Sequence, residues 1–334
     1  MNCPLFILAA TIAIFPTERL GAEVVHLRDY SLHTPRDRGV LFTMAITPEQ
    51  DVLSFVAKGD GKWLLTKVRN WLDNSPLEQS IDVPGWSRAD LVGLFGGLTA
   101  DLFVTPDGRF AICISSGVWK HDNQEIVSVV DLQEFKLVKT AHTSLNETRA
   151  HYFDRAGRFV TLALNVNGRT GESDERLELM DLPTLTVEDQ CQFKEWIRGA
   201  EVTRREGENN CDALLSRISA SRVSLAAYLD GLVRSDGLPR AHRNLSPPCS
   251  SREVTADGRF ELQYCENFHH NWLDNPVVSD RRFNIRSVKT GSVVGTIEEP
   301  NRESIKSKLV YQSGRDILLI MEGGTKLKAY QLKE

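Results

Sequence analysis

The chain has 334 residues, 41% of them hydrophobic, and a formal net charge of −5. That length suits one large domain, and so mild an acidity offers no basic patch of the kind that nucleic acid or an anionic membrane surface requires. No low-complexity stretch and no long Ser/Gly/Pro linker divides it, so a single domain, monomeric, is expected.

The chain begins with an apolar run, LFILAATIAIF at residues 5–15, followed by Leu20-Gly21-Ala22. The run has signal-peptide length and is short for a membrane-spanning helix, and the small residues offer a cleavage site. Residues 1–22 are therefore read as a signal peptide. The mature chain, 23–334, is expected to be secreted or periplasmic, with no transmembrane anchor. Its first residues, Glu23-Val24-Val25-His26-Leu27, look like a strand without a neighbour in sequence.

A phrase then recurs down the chain. Its clearest form is Val104-Thr105-Pro106-Asp107-Gly108-Arg109-Phe110, in which proline fixes φ, aspartate can bond its own backbone and glycine accepts φ > 0. Close copies begin at Phe153 and Val254, and weaker ones at Ile46, Ile218 and Val310. After the phrase at Val104, Phe110, Ile112 and Ile114 alternate with Ala111, Cys113 and Ser115, the period of a pleated strand. A second alternating run ends at Val130-Asp131-Leu132, a feature repeated at Met180-Asp181-Leu182 and, less closely, at Arg286-Ser287-Val288. Each unit therefore reads as a four-stranded antiparallel meander. One such sheet cannot bury both faces, so copies must pack against each other.

These phrases resemble the repeats of YVTN and WD40-like propellers, over most of the chain after residue 40. The resemblance implies an all-β fold, a β-propeller of four-stranded antiparallel blades. Six phrases are visible, and six or seven blades remain open. The last unit, 308–332, is one strand short, and pairing the run at Glu23 beside 327–332 would complete it, closing the ring and hiding two edges.

Between residues 190 and 250 the repeat is worn, and the charged stretch 201–208 reads as a solvated excursion. Five cysteines follow the signal. Cys113 falls within an apolar strand and reads as a buried thiol; the remaining four permit three connectivities. Cys191 with Cys211 and Cys249 with Cys265 are preferred, because each pair brackets one irregular stretch.

In such a meander the connection between second and third strands emerges opposite the Asp-Gly turns. It reads as a short loop at 58–61 and 322–324, and as a long loop at 117–124, 166–175 and 267–280. Long loops on one face of a rigid scaffold are where binding residues lie. The candidates are Trp119, His121 and Asp122; Arg169, Glu172 and Asp174; and His269, His270, Trp272 and Asp274. His269 and His270, with carboxylates nearby, could hold a divalent metal, although adjacent residues of an extended segment point to opposite sides. Asn70-Trp71-Leu72-Asp73-Asn74 recurs as Asn271-Trp272-Leu273-Asp274-Asn275, out of phase with the repeat.

No nucleophile elbow, zinc-protease helix, phosphate-binding loop or paired-cysteine zinc spacing is present. The expected function is thus a binding scaffold for a protein or small ligand. The alternative is a metal-dependent, lactonase-like hydrolase with carboxylate, Asn and His ligands at a central channel, and a quinone-dependent dehydrogenase comes third.

Overall fold

A computed structural model describes residues 23–33, 42–58, 62–86, 98–119, 122–142, 148–153, 157–166, 172–198, 201–204, 214, 249–255, 257–270, 276–299, 305–312 and 314–333. The proposed signal peptide, the phrase at Ile218 and the strand expected after it lie outside them. Among the described residues the fold is all-β and antiparallel, in five sheets.

In chain order, the first sheet holds β2 (Phe42–Ile46), β3 (Val52–Ala57), β4 (Lys62–Arg69) and β5 (Leu77–Pro84). The second holds β6 (Leu98–Val104), β7 (Phe110–Trp119), β8 (Asp122–Asp131) and β9 (Lys136–His142). The third holds β10 (Thr148–Phe153), β11 (Phe159–Val166), β12 (Glu172–Asp181), β13 (Thr186–Arg198) and β14 (Glu201–Arg204). The fourth holds β15 (Cys249–Val254), β16 (Phe260–His270), β17 (Pro276–Ser287) and β18 (Val293–Glu299). The fifth holds β19 (Ile305–Gln312), β20 (Arg315–Glu322) and β21 (Lys326–Lys333), joined by β1 (Glu23–Ser31) from the other end of the chain.

That last pairing matches the sequence expectation. β1 lies antiparallel to β21, with Glu23 opposite Lys333, Val24 opposite Leu332 and Tyr30 opposite Leu327. The third sheet departs from expectation: Ile197 pairs with Val202 and Glu195 with Arg204, so the start of the predicted excursion is a fifth strand. The reason lies in the backbone, whose N–H and C=O groups pair in a hairpin whatever side chains they carry.

Alternation along the strands dictates how the sheets stack. Phe110, Ile112 and Ile114 of β7 pack with Phe159 and Leu185 of the third sheet, while Ala111 and Cys113 pack with Leu53, Phe55 and Trp63 of the first. Val52, Val56 and Val68 of the first sheet meet Ile317, Leu319 and Met321 of the fifth. The opposite face of β20, Leu318 and Ile320, meets Phe260, Leu262, Phe283 and Ile285 of the fourth. Both sides of β3, β4, β7, β8 and β20 are thus buried, and the fourth, fifth, first, second and third sheets follow one another face to face. The first strands of neighbouring sheets lie side by side, β15 by β19, β19 by β2 and β2 by β6. The fourth strands, such as β9, are mostly exposed.

The recurring phrase is a turn in every described copy. Thr105 Oγ1 accepts the Phe110 N–H at 2.9 Å, Asp107 Oδ1 accepts the Arg109 N–H at 3.0 Å, and Gly108 takes φ 72°. Thr255, Asp257 and Gly258 repeat the pattern, with φ 72° at the glycine. The second recurring feature is also a turn former, since Asp131 Oδ1 accepts the N–H groups of Gln133 and Glu134. Trp71, from the repeated pentapeptide, is buried and donates to the Gln50 carbonyl at 2.7 Å, which makes it a plug for the first sheet. The second pentapeptide lies outside the described residues.

Candidate functional site

The connections read as long loops are, in the structure, hairpin arms. β7 and β8 stay paired out to Trp119 opposite Asp122, β11 and β12 to Val166 opposite Ser173, and β16 and β17 to His270 opposite Pro276. The polar composition of these segments hid the strands from an apolar-period reading, because a hairpin ribbon is held by cross-strand backbone bonds whatever its side chains. All three arms join second to third strands, so they leave their sheets at the same end.

Of the sequence candidates, Trp119 and Asp122 face each other at the tip of the β7–β8 arm, Glu172 and Asp174 begin β12, and His269 and His270 end β16. His121, Arg169, Trp272 and Asp274 lie outside the described residues. The backbone therefore brings candidates from three sheets to one end, each on a separate arm. Among the described residues no group of three or more His, Cys, Asp and Glu side chains is placed to hold a metal ion.

A polar cluster the sequence did not reveal lies between the second and third sheets. His151 on β10 places Nε2 3.0 Å from Glu125 Oε2 on β8 and Nδ1 2.9 Å from Thr161 Oγ1 on β11. Ser116 Oγ donates to the other Glu125 oxygen at 3.2 Å, and the His151 ring stacks on Phe159 at 5.5 Å. Hydroxyl, imidazole and carboxylate in that order have the connectivity of a nucleophile, base and orienting acid. Access decides against that role: Thr161 is 0% exposed and His151 7%, so no substrate reaches the hydroxyl. The cluster is an inter-sheet clamp, and its polar groups satisfy one another where the apolar seam is interrupted. Glu125 and His151 are 26 positions apart and belong to different repeats, so no local motif could signal them.

Two further charged contacts join sheets. Lys67 of β4 is buried, donates from Nζ to the Leu132 carbonyl of the second sheet at 2.5 Å, and lies over the Phe135 ring. Burial and, after it, the nearby Arg69 charge hold its amine below the ordinary lysine range. Arg259 of the fourth sheet's phrase reaches the buried Asp316 of the fifth at 2.6 Å. Each joins a strand of one sheet to a turn of its neighbour.

No protein-family model matches the chain, and no curated protein matches it. Solved structures it is similar to include an endo-arabinase from Bacteroides thetaiotaomicron, at 10% identity and TM-score 0.32 over 91% of this chain and 95% of that one. A GDP-Man-dependent mannosyltransferase from Leishmania mexicana is matched at 7% identity and TM-score 0.37 over 95% and 92%. The β-propeller domain of the Trilobed protease from Pyrococcus furiosus is matched at 10% identity and TM-score 0.29 over 86% and 79%. Likenesses this distant carry no argument about activity.

Proposed function

We propose that the chain is an exported β-propeller of six or seven blades that binds a protein or small ligand through the hairpin arms at one end. The observation that carries the reading is the set of three arms, β7–β8, β11–β12 and β16–β17, built at one end of three different sheets. The propeller reading draws its support from the order of face-to-face sheets, first strands together and fourth strands outward, and from β1 completing the fifth sheet. Full closure of a ring is part of the proposal.

Export is supported by the cysteines. Cys249 and Cys265 are direct cross-strand neighbours, and Cys113 is a free, buried thiol whereas Cys191 and Cys265 are not free thiols. Disulfides Cys249–Cys265 and Cys191–Cys211 would suit an oxidising compartment.

The test is a glycan and protein array probed with residues 23–334 and with a variant in which residues 117–124 are replaced by Asn-Gly. The expected result is a ligand class held by the native chain and lost by the shortened one, with thermal unfolding unchanged. Equal binding by both, or binding by neither, would count against the arms as the site.

A further inference from the structure

The row of sheets ends in the third sheet on one side and the fourth on the other, and each of these turns one face away from the row. On the third sheet that face is apolar. Val160 lies opposite Leu179 and Leu162 opposite Leu177, on the side away from Phe159 and Met180, which pack toward the second sheet. Val160 and Leu177 are 0% exposed and Leu179 1%, yet among the described residues they share no apolar core with another sheet. On the fourth sheet the corresponding face is polar. Phe260, Leu262, Phe283 and Ile285 turn toward the fifth sheet, which leaves Cys265 and Asn284 on the other side, at 2% and 9% exposure. Both outward faces are therefore covered.

The chain leaves the third sheet at Arg204 and enters the fourth at Cys249. The first sheet is built within residues 42–84 and the second within 98–142. The interval 205–248 has that same length, enough for one such sheet and not for two, and consecutive elements are usually neighbours in space. Leu214, the one described residue in the interval, is buried at 3% exposure. Cys191 of β13 stands opposite Leu177, hence on the apolar face, and it is not a free thiol. Cys113 is free and Cys249 lies across from Cys265, so Cys211 in the interval is the partner left to Cys191 after residue 22. The interval's sequence is also two-sided, since Val223, Leu225, Ala227 and Leu229 alternate with Ser224, Ala226, Tyr228 and Asp230.

We infer that residues 205–248 occupy the space between the third and fourth sheets as a sixth sheet, with an apolar side on Val160, Leu177 and Leu179 and a polar side toward Asn284. The inference rests on the propeller reading and sets its number of blades at six. A segment of the same chain meets these faces without the translational and rotational cost of association, which favours it over a second copy. A Cys191–Cys211 bridge would hold it there by closing a short loop.

The experiment is amide hydrogen exchange on residues 23–334, as the native chain and as a variant carrying Leu225→Ser and Leu229→Ser. In the native chain the amides of residues 223–229 are expected to exchange as slowly as those of β11 and β12. In the variant β11 and β12 are expected to exchange faster, by about tenfold or more, because the cover over Val160, Leu177 and Leu179 is weakened. Exchange at the free-peptide rate over 223–229 in the native chain would overturn the inference, and this measurement decides alone if the variant does not fold. Unchanged exchange of β11 and β12 in a folded variant would also overturn it. Protection of β11 and β12 that disappears on dilution, together with a dimer in sedimentation, would overturn it in favour of a second copy on the apolar face. None of these readouts depends on what the arms bind, so a failed array and a failed sixth sheet are distinguishable.

Discussion

Gln50 holds φ at 70°, where the same turn position is filled by Gly108, Gly157, Gly258 and Gly314 at 72–77°. A side chain in that left-handed region costs roughly 1–2 kcal/mol, because Cβ crowds the following carbonyl. The greater freedom of glycine in the unfolded chain returns about 0.5–1 kcal/mol of this. The Gln50 amide oxygen is also buried without a hydrogen-bond donor among the described residues, a further cost. Its contacts to the rest of the turn are mostly through the backbone: its N–H donates to the Thr47 carbonyl at 2.9 Å, and its own carbonyl accepts from Trp71. Gln50→Gly is therefore expected to stabilise the fold by roughly 0.5–1 kcal/mol, seen as a higher urea midpoint at unchanged slope. A lower midpoint would show that the glutamine side chain contributes packing that outweighs its strain. The turn chemistry itself was legible in the sequence, because Thr, Asp and Gly act on groups two to five residues away.

At the scale of the strand, β4 delivers Lys67 across a seam that is otherwise apolar. Its amine is held below its ordinary value of 10.5 by burial first and by Arg69 second. The folded state then binds fewer protons at this site than the unfolded chain does, in the window between the lowered value and 10.5. Stability therefore rises with pH through that window, as charging the amine favours unfolding. Tyr30 works in the opposite sense higher up: burial and then the Glu78 carboxylate raise its phenol from 10.0 to about 12, so stability it contributes below 10 is lost as pH rises through 12. The Lys67 effect therefore lies in the interval below 10.5, where the buried Cys113 thiol, pushed up from 9.0, works against it above about 9. Lys67→Met keeps the length of the side chain and is expected to flatten the rise in urea midpoint across that interval. An unchanged slope would place the dependence elsewhere. Links of this kind escaped the sequence reading for one reason. Lys67 meets Leu132, and His151 meets Glu125, only after two repeats have packed, whereas a motif is visible only when its members share a strand or a turn. The arms escaped it for another: their pairing is carried by the backbone, which leaves no apolar period to find.

For the whole molecule, the contact between β1 and β21 joins the two ends of the chain. Without it β21 would expose a row of unpaired backbone groups along the fifth sheet, and Leu27 and Tyr30 would leave the seam between the fifth and first sheets. Val24 would leave the seam with the fourth sheet, where it packs beside Gly295 so closely that a Cβ there would come within 2.2 Å of its methyl. The strand also carries a latch beyond its pairing, since Tyr30 donates to Glu78 of β5 at 2.8 Å. This strand was found in the sequence by default, as a run with no local partner beside a unit lacking one strand. Three partly buried apolar side chains, each contributing about 1–2 kcal/mol, give deletion of residues 23–31 an expected cost of roughly 3–6 kcal/mol. That is a large part of the 5–15 kcal/mol that holds a typical domain folded. The measurements are urea unfolding, with a fall in midpoint, and light scattering, with association through the open edge of β21. A synthetic peptide spanning residues 23–33 should reverse both, because it restores the ladder and the three side chains together. If the truncated chain unfolds at the native midpoint and stays monomeric, β1 is an accessory to the fifth sheet rather than part of what holds it together.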